Sequence, residues 1–318
     1  MEPLAPAPAL APEAAVPPDG GGVFSTIGDL LLALLGALWS AFAWVVEGLV
    51  YLGGGFKQGL RAVWLFLGDL LSPALDPIGA LLSEHTPVLA KYGPKLLDGL
   101  WTTTELVTLS LLIGGLLAIP VAFALVARIA PLRWLATAYI FFFRGTPLLA
   151  QIFLIYYGSG QFRGFFEQAG LWGVFSEAYW CALIAFSLNT AAYTGEILRG
   201  GILGVPPGEI EAAKALGMNR WLILRRVVLP GAYRIALPAY GNEIVLMIKA
   251  SAVAMVVTIL DLMGQTKRAY AQSFSLDVYL YAAAIYLFLN WALSRAWKAL
   301  EDWMNPQRRP PAHAAEKK

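Results

Sequence analysis

Cysteine is almost missing from this chain, Cys181 being the only one in 318 residues. One thiol inside an apolar run excludes an internal disulfide and any cysteine metal cluster, and leaves Cys181 as a packing residue. Histidine is nearly as scarce, and His85 and His313 both lie outside the apolar runs. With no H-E-x-x-H and no G-x-S-x-G segment, the sequence offers nothing suited to an intramembrane metalloenzyme or hydrolase. G-x-x-x-x-G-K-[ST] is absent too, so no ATP site, catalytic residue, metal or other cofactor is expected on this chain. Charge is thin: Asp, Glu, Lys and Arg make up 14% and the net charge is +2. Such a balance gives no reason to expect a nucleic-acid partner.

Apolar residues are what the chain has in quantity. With 58% hydrophobic and 13% aromatic residues and a mean hydropathy of +0.62, it is too apolar for a soluble domain of this length. It reads as an all-α polytopic membrane protein with the lipid bilayer as its solvent. Residues 1–28, rich in Pro, Ala and Gly with no Lys or Arg, are expected to form a disordered tail and lack the basic start of a signal peptide. Residues 29–94 form an N-terminal extension with one or two hydrophobic helices. Leu30 to Leu52 is long enough to cross, since crossing takes roughly 20 residues. Gly59 to Leu82, broken by Asp69, Pro73, Asp76 and Pro77, is a span or an interfacial helix.

The core is expected over residues 95–300, followed by a tail over 301–318. Its spans are Trp101–Val126, Trp134–Tyr157, Tyr179–Leu198, Pro238–Leu262 and Val278–Trp297. Lys214, Arg220, Arg225 and Arg226 gather between the third and fourth, and Arg295, Lys298, Arg308, Arg309, Lys317 and Lys318 after the fifth. Basic residues collect on the cytoplasmic side, so this inter-span segment and the C-terminus are expected inside a bacterial cytoplasmic (inner) membrane. Lys267 and Arg268 dissent, in a loop expected outside.

Between those spans lies the most informative segment, the elbow over residues 206–230. Pro206 and Pro207 open a short helix, Gly217 closes it, and a second helix is expected to run from Asn219 toward Leu229-Pro230. Ile210, Ala213, Leu216 and Gly217 recur at helical spacing as an apolar face, with Glu211 and Lys214 off it. Glu211-Ala212-Ala213, then Gly217, then Val227-Val228-Leu229-Pro230, resembles the EAA loop of permease subunits of ATP-binding-cassette (ABC) importers, with valine where isoleucine is usual. The alternative is an amphipathic interfacial loop with no partner.

Phe143-Arg144-Gly145-Thr146-Pro147-Leu148-Leu149-Ala150-Gln151 resembles the corresponding segment of polar amino acid permeases. So do Asn189 through Glu196 and Ala236 through Glu243, nearest to the histidine/lysine/arginine/ornithine and opine permeases. The resemblance covers roughly residues 97–300 and does not reach the N-terminal extension. It implies a type I ABC importer permease fold with five core helices. It also implies a second permease subunit (same or homologous chain), a dimer of ABC ATPase subunits, and a periplasmic or extracellular solute-binding protein. Glu211, Ala212, Ala213, Gly217 and Arg220 would then couple to the ATPase.

Polar residues inside apolar runs are costly and mark a cavity or a partner. Asn189, Tyr193 and Glu196 fall at i, i+4 and i+7 on one helical face, and Asn242, Glu243 and Lys249 sit on the following helix. Gln151, Asn189, Tyr193, Asn242, Glu243 and Lys249 are the candidates for the substrate path, each weighed against a role as interhelical glue. Arg144 is expected to hold the Gly145-Thr146-Pro147 kink, since Pro147 frees a backbone carbonyl that needs a donor. An amino acid importer driven by ATP hydrolysed on a separate chain fits best. An ion-driven secondary transporter titrating Glu243 and Lys249 is the alternative, though no inverted repeat supports it.

Overall fold

The computed structural model describes residues 87–304 and, ahead of them, residues 55, 58, 59, 61, 62 and 65. The expected tail over 1–28, the span from Leu30 to Leu52, most of the segment from Gly59 to Leu82 and the residues after Met304 lie outside the described residues. No strand occurs among the described residues.

Helix α1 runs from Pro87 to Val126, 40 residues where the apolar run alone suggested a start at Trp101. Tertiary packing accounts for the extra turns. Tyr92 is buried in a small cluster with Ala269 and Val278, which docks the early turns on elements far along the chain. The next expected span, Trp134 to Tyr157, is two helices: α2 (Ala130–Gly145) and α3 (Leu148–Gln161), meeting at 104°. Pro147 cannot donate to the carbonyl four residues back and holds Thr146 extended (φ −108°, ψ 146°). After α3 the chain carries two short helices, α4 (Arg163–Gln168) and α5 (Trp172–Phe175).

Helix α6 (Ala178–Leu203) is the spine of the bundle, with α1 along one side and the long helix after the elbow along another. Small residues make these approaches possible, as expected where lipid supplies no hydrophobic drive between helices. A Cβ on Gly114 of α1 would stand 2.7 Å from the Ser187 carbonyl oxygen and 2.7 Å from Thr190 Cβ. Gly195 receives Val121 in the same way, and Gly201 receives Ala232 and Ala236.

After the elbow helix α7 (Pro207–Ala215) the chain turns into α8 (Arg220–Ile223). The second elbow helix does not stop at Pro230. Pro230 has no N–H for the Arg226 carbonyl, and the backbone widens to a π-helical turn over Leu224–Val228, where the Leu229 N–H reaches the Leu224 carbonyl. It then continues as α9 (Leu229–Ala250) and a 3₁₀ segment (Ser251–Val257), one helical rod of 38 residues from Arg220. The expected span from Pro238 is therefore the far half of a rod anchored in the elbow. Asp261 caps α10 (Leu262–Ser273) by accepting from the Gly264 N–H at 2.9 Å. Helix α11 (Asp277–Met304) then returns along α9, where the Trp297 indole donates to the Leu237 carbonyl at 3.2 Å.

Among the described residues, three helices are long and apolar enough to cross a membrane, or four where the bent pair α2–α3 counts as one span. Helix α11 is long, but it carries Arg295, Lys298, Glu301 and Asp302 near its end and is not among these.

Candidate functional site

The elbow is built by local chemistry. The Met218 N–H donates to the Ala213 carbonyl at 3.1 Å and the Gly217 N–H to the Lys214 carbonyl at 2.9 Å, the paired bonds of a Schellman motif. That motif needs a left-handed residue, and Gly217 supplies φ +74°. Asn219 caps the following helix by accepting from the Leu222 N–H at 2.8 Å. Beneath the turn Val205, Ala213, Ile223, Val228 and Ala232 form a separate core with Ile210 and Met218 against it, so the elbow is a packed unit. Glu211, Ala212, Lys214, Gly217 and Arg220 are exposed. Leu216, one residue of the apolar face, is 77% exposed, as the cap residue where the helix turns away. Trp221 is exposed as well.

The second site forms where α2 and α3 break. Phe143, four residues before Pro147, owns the carbonyl that Pro147 cannot satisfy. The Gln151 amide donates to it at 2.8 Å and to the Thr146 carbonyl at 3.0 Å, and the Asn189 amide donates to it at 3.2 Å while donating to Gln151 Oε1 at 3.0 Å. The donor expected from Arg144 thus comes from these two amides. Both are buried, and their amide N–H groups donate within the protein. Gln151→Leu should cost about 1–3 kcal/mol by leaving buried carbonyls unpaired, seen as a lower unfolding temperature of the purified protein; an unchanged temperature would refute the clamp.

Arg144, released from that duty, lies over the Tyr193 ring with its guanidinium carbon 5.0 Å from the centroid. It lines two neighbouring cavities that also share Gly145 and Tyr193. One, of about 460 Å³, is bounded by Pro147, Asn189 and Glu243. The other, of about 620 Å³, reaches Glu196 and Arg199, which are paired with each other. The face of α6 carrying Asn189, Tyr193 and Glu196 therefore runs along both, as its periodicity predicts. Glu243 is buried, and Arg144 is close enough to both Glu243 and Glu196 to act on them electrostatically. Asn242 and Lys249 are separated from Glu243: both are exposed, line neither polar cavity, and Lys249 forms no ion pair among the described residues. A further crevice of about 520 Å³ among α1, α6 and α9 is walled by Ile119, Phe123, Ile197 and Leu237 and is too apolar for a polar solute.

Long apolar helices around a charged cavity, with a packed elbow at one end of the bundle, define a membrane-embedded transport component. The sequence over residues 110–306 matches the family described as binding-protein-dependent transport system inner membrane component, and the chain belongs to that family. It is 48% identical over 217 residues to the nopaline transport system permease protein of Agrobacterium fabrum, covering 68% of this chain and 90% of that one. It is 39% identical over 211 residues to the arginine ABC transporter permease protein of Escherichia coli, covering 66% and 95%. Among solved structures, an amino acid ABC transporter crystallised with histidines is similar with a TM-score of 0.61 and 35% identity, over 67% of this chain and 95% of that one. The MetNI methionine ABC transporter, at 21% identity and a TM-score of 0.56 over 66% and 96%, shares the fold. The chain is thus a transport subunit and not an enzyme: it works with a binding protein and a second permease, and ATP hydrolysis belongs to a separate chain. That decides for the ATP-driven importer over the ion-driven alternative.

Proposed function

We propose that the cavity between Arg144 and Glu243 receives a cationic amino acid, and that the elbow passes the state of the ATPase to it. The carrying observation is that one cavity presents a guanidinium and a buried carboxylate. An arginine-like solute brings a carboxylate for Arg144 and a cation for Glu243, each pair strengthened where water is scarce. Nopaline and arginine, named in the relatives' descriptions, support this class of cargo. Tyr193 forms a wall of both cavities, while Gln151 and Asn189 hold the kink that shapes them.

On this reading Glu211, Ala212, Gly217 and Arg220 form the surface that meets the ATPase, with Leu216 and Trp221 as apolar anchors. The rod from Arg220 to Val257 carries Glu243, so tilting the elbow moves one wall of the cavity. The exposed Lys214, Arg220, Arg225 and Arg226 favour a cytoplasmic elbow, and Arg295 and Lys298 favour a cytoplasmic C-terminus. The extension over residues 29–94 lies ahead of the family match, which begins at residue 110.

Reconstituted with its companions and ATP, the Glu243→Gln variant is expected to need roughly tenfold or more arginine for half-maximal uptake, from the loss of one buried charge partner. Collapsing the proton gradient should leave wild-type uptake intact. If Glu243→Gln and Arg144→Gln both transport arginine with unchanged concentration dependence, this cavity is not the receiving site.

A further inference from the structure

The cavity of about 620 Å³ repeats the chemistry of its neighbour. Each offers a carboxylate and a guanidinium, and Arg144, Gly145 and Tyr193 line both. Arg144 is close enough to act electrostatically on Glu243 in one and on Glu196 in the other. The larger cavity is the nearer to the elbow along α6, since Glu196 and Arg199 line it while Asn189 bounds only its neighbour. A rise of 1.5 Å per residue puts Glu196 about 10 Å beyond Asn189.

The two carboxylates are held differently. Glu243 is buried and forms no ion pair among the described residues. Glu196 is gripped by the fork of Arg199, whose Nε donates to Oε2 at 2.9 Å while a terminal nitrogen donates to Oε1 at 2.5 Å. Only a guanidinium has that planar pair of donors. The side chains of Arg199 and Glu196 are 35% and 28% exposed, and a pair so open to water holds weakly. A second guanidinium can therefore replace Arg199 in the same two bonds at small net cost. An ammonium group, a point charge without a fork, cannot reproduce them.

We propose that this cavity is a second station for the cargo, reached by a pivot. The solute keeps its carboxylate on Arg144 while its guanidinium leaves Glu243 and takes the place of Arg199 on Glu196. Arg133 lines the same cavity and favours a solute that brings a carboxylate. The step rests on the reading that cargo enters at Glu243, and it narrows the cargo from cationic amino acids to those bearing a guanidinium.

Cys181 is the chain's one cysteine and is buried, so Thr137→Cys, on the exposed wall of this cavity, gives the subunit a single accessible thiol. The complete transporter, in nanodiscs without nucleotide, is treated with N-ethylmaleimide, and addition is followed by the mass of this subunit. Saturating arginine is expected to slow addition about fivefold or more, because reagent enters only the unoccupied fraction. Lysine, and citrulline as the neutral isostere of arginine, should slow it less than about twofold. Glu196→Gln should abolish the protection, and Glu243→Gln should leave it, since arginine can arrive from the elbow side. Arg199→Gln should lower the half-protecting arginine concentration about two- to fivefold by removing the competitor in a partly exposed pair, a gain that misfolding does not produce. Four outcomes would each overturn the station: no protection by arginine, equal protection by lysine, protection lost with Glu243→Gln but kept with Glu196→Gln, or an unchanged concentration with Arg199→Gln. Thiol protection reports binding beside Glu196 and uptake reports entry at Glu243, so the two readings fail separately.

Discussion

The Gly217→Val variant is expected to insert into the membrane and assemble normally, yet to lose ATP-driven uptake by about tenfold or more. Gly217 sits at φ +74°, and a Cβ there would meet nothing within 4 Å, so the effect is conformational and not a clash. An L-residue held in left-handed geometry costs about 1–2 kcal/mol, and a β-branched one more. The elbow can shed that strain only by opening the Ala213–Met218 turn, which moves the exposed surface of α7 relative to the rod that carries Glu243. A surface populated in the right shape roughly a tenth as often couples that much less. Gly217→Asn, which tolerates this geometry, should keep most activity. Gly208→Val, equally open in space but at an ordinary φ, is the neutral control. Equal uptake by Gly217→Val and Gly208→Val would mean that the turn has no part in coupling.

Loss of the assembled protein itself is expected from Gly114→Leu. Its Cβ would press on the Ser187 carbonyl, a backbone atom of the central helix that cannot turn aside, and on Thr190. Overpacking typically costs about 1–3 kcal/mol and more where backbone must shift. Here α1 must part from α6 along the seam that also seats Gly195 on Val121. The yield of folded subunit in mild detergent should fall about tenfold or more. The adjacent Gly115 provides the contrast: a Cβ there meets only the Tyr240 hydroxyl at 3.5 Å, and Gly115→Ala should fold as the wild type does. If Gly114→Leu is recovered in normal yield, the close seam between α1 and α6 is not what holds the bundle.

Several features were legible because neighbouring residues alone create them. The Gly217 cap, the Asn219 cap and the break at Pro147 follow from backbone chemistry within a few positions. The shared face of Asn189, Tyr193 and Glu196 follows from helical period. The continuation through Pro230 was not legible, because a π-helical turn and a helix end start from the same proline. The role of Arg144 was misread for a different reason. A donor was owed to the Phe143 carbonyl, but Asn189 reaches it from 46 positions away, and only the placement of α6 brings it there.

By itself the sequence determined what the bilayer and the backbone demand: apolar rods, basic ends, a glycine where the chain turns left-handed, and a carbonyl left over before Pro147. The tertiary structure decided which polar side chain meets which need. Gln151 and Asn189 went to the kink, Arg144 and Glu243 to the cavity, and Asn242 and Lys249 to an outer face. The physical reason is that a helix fixes the direction of each side chain by local geometry, while what stands opposite is set by a neighbour's position, which no local interaction encodes.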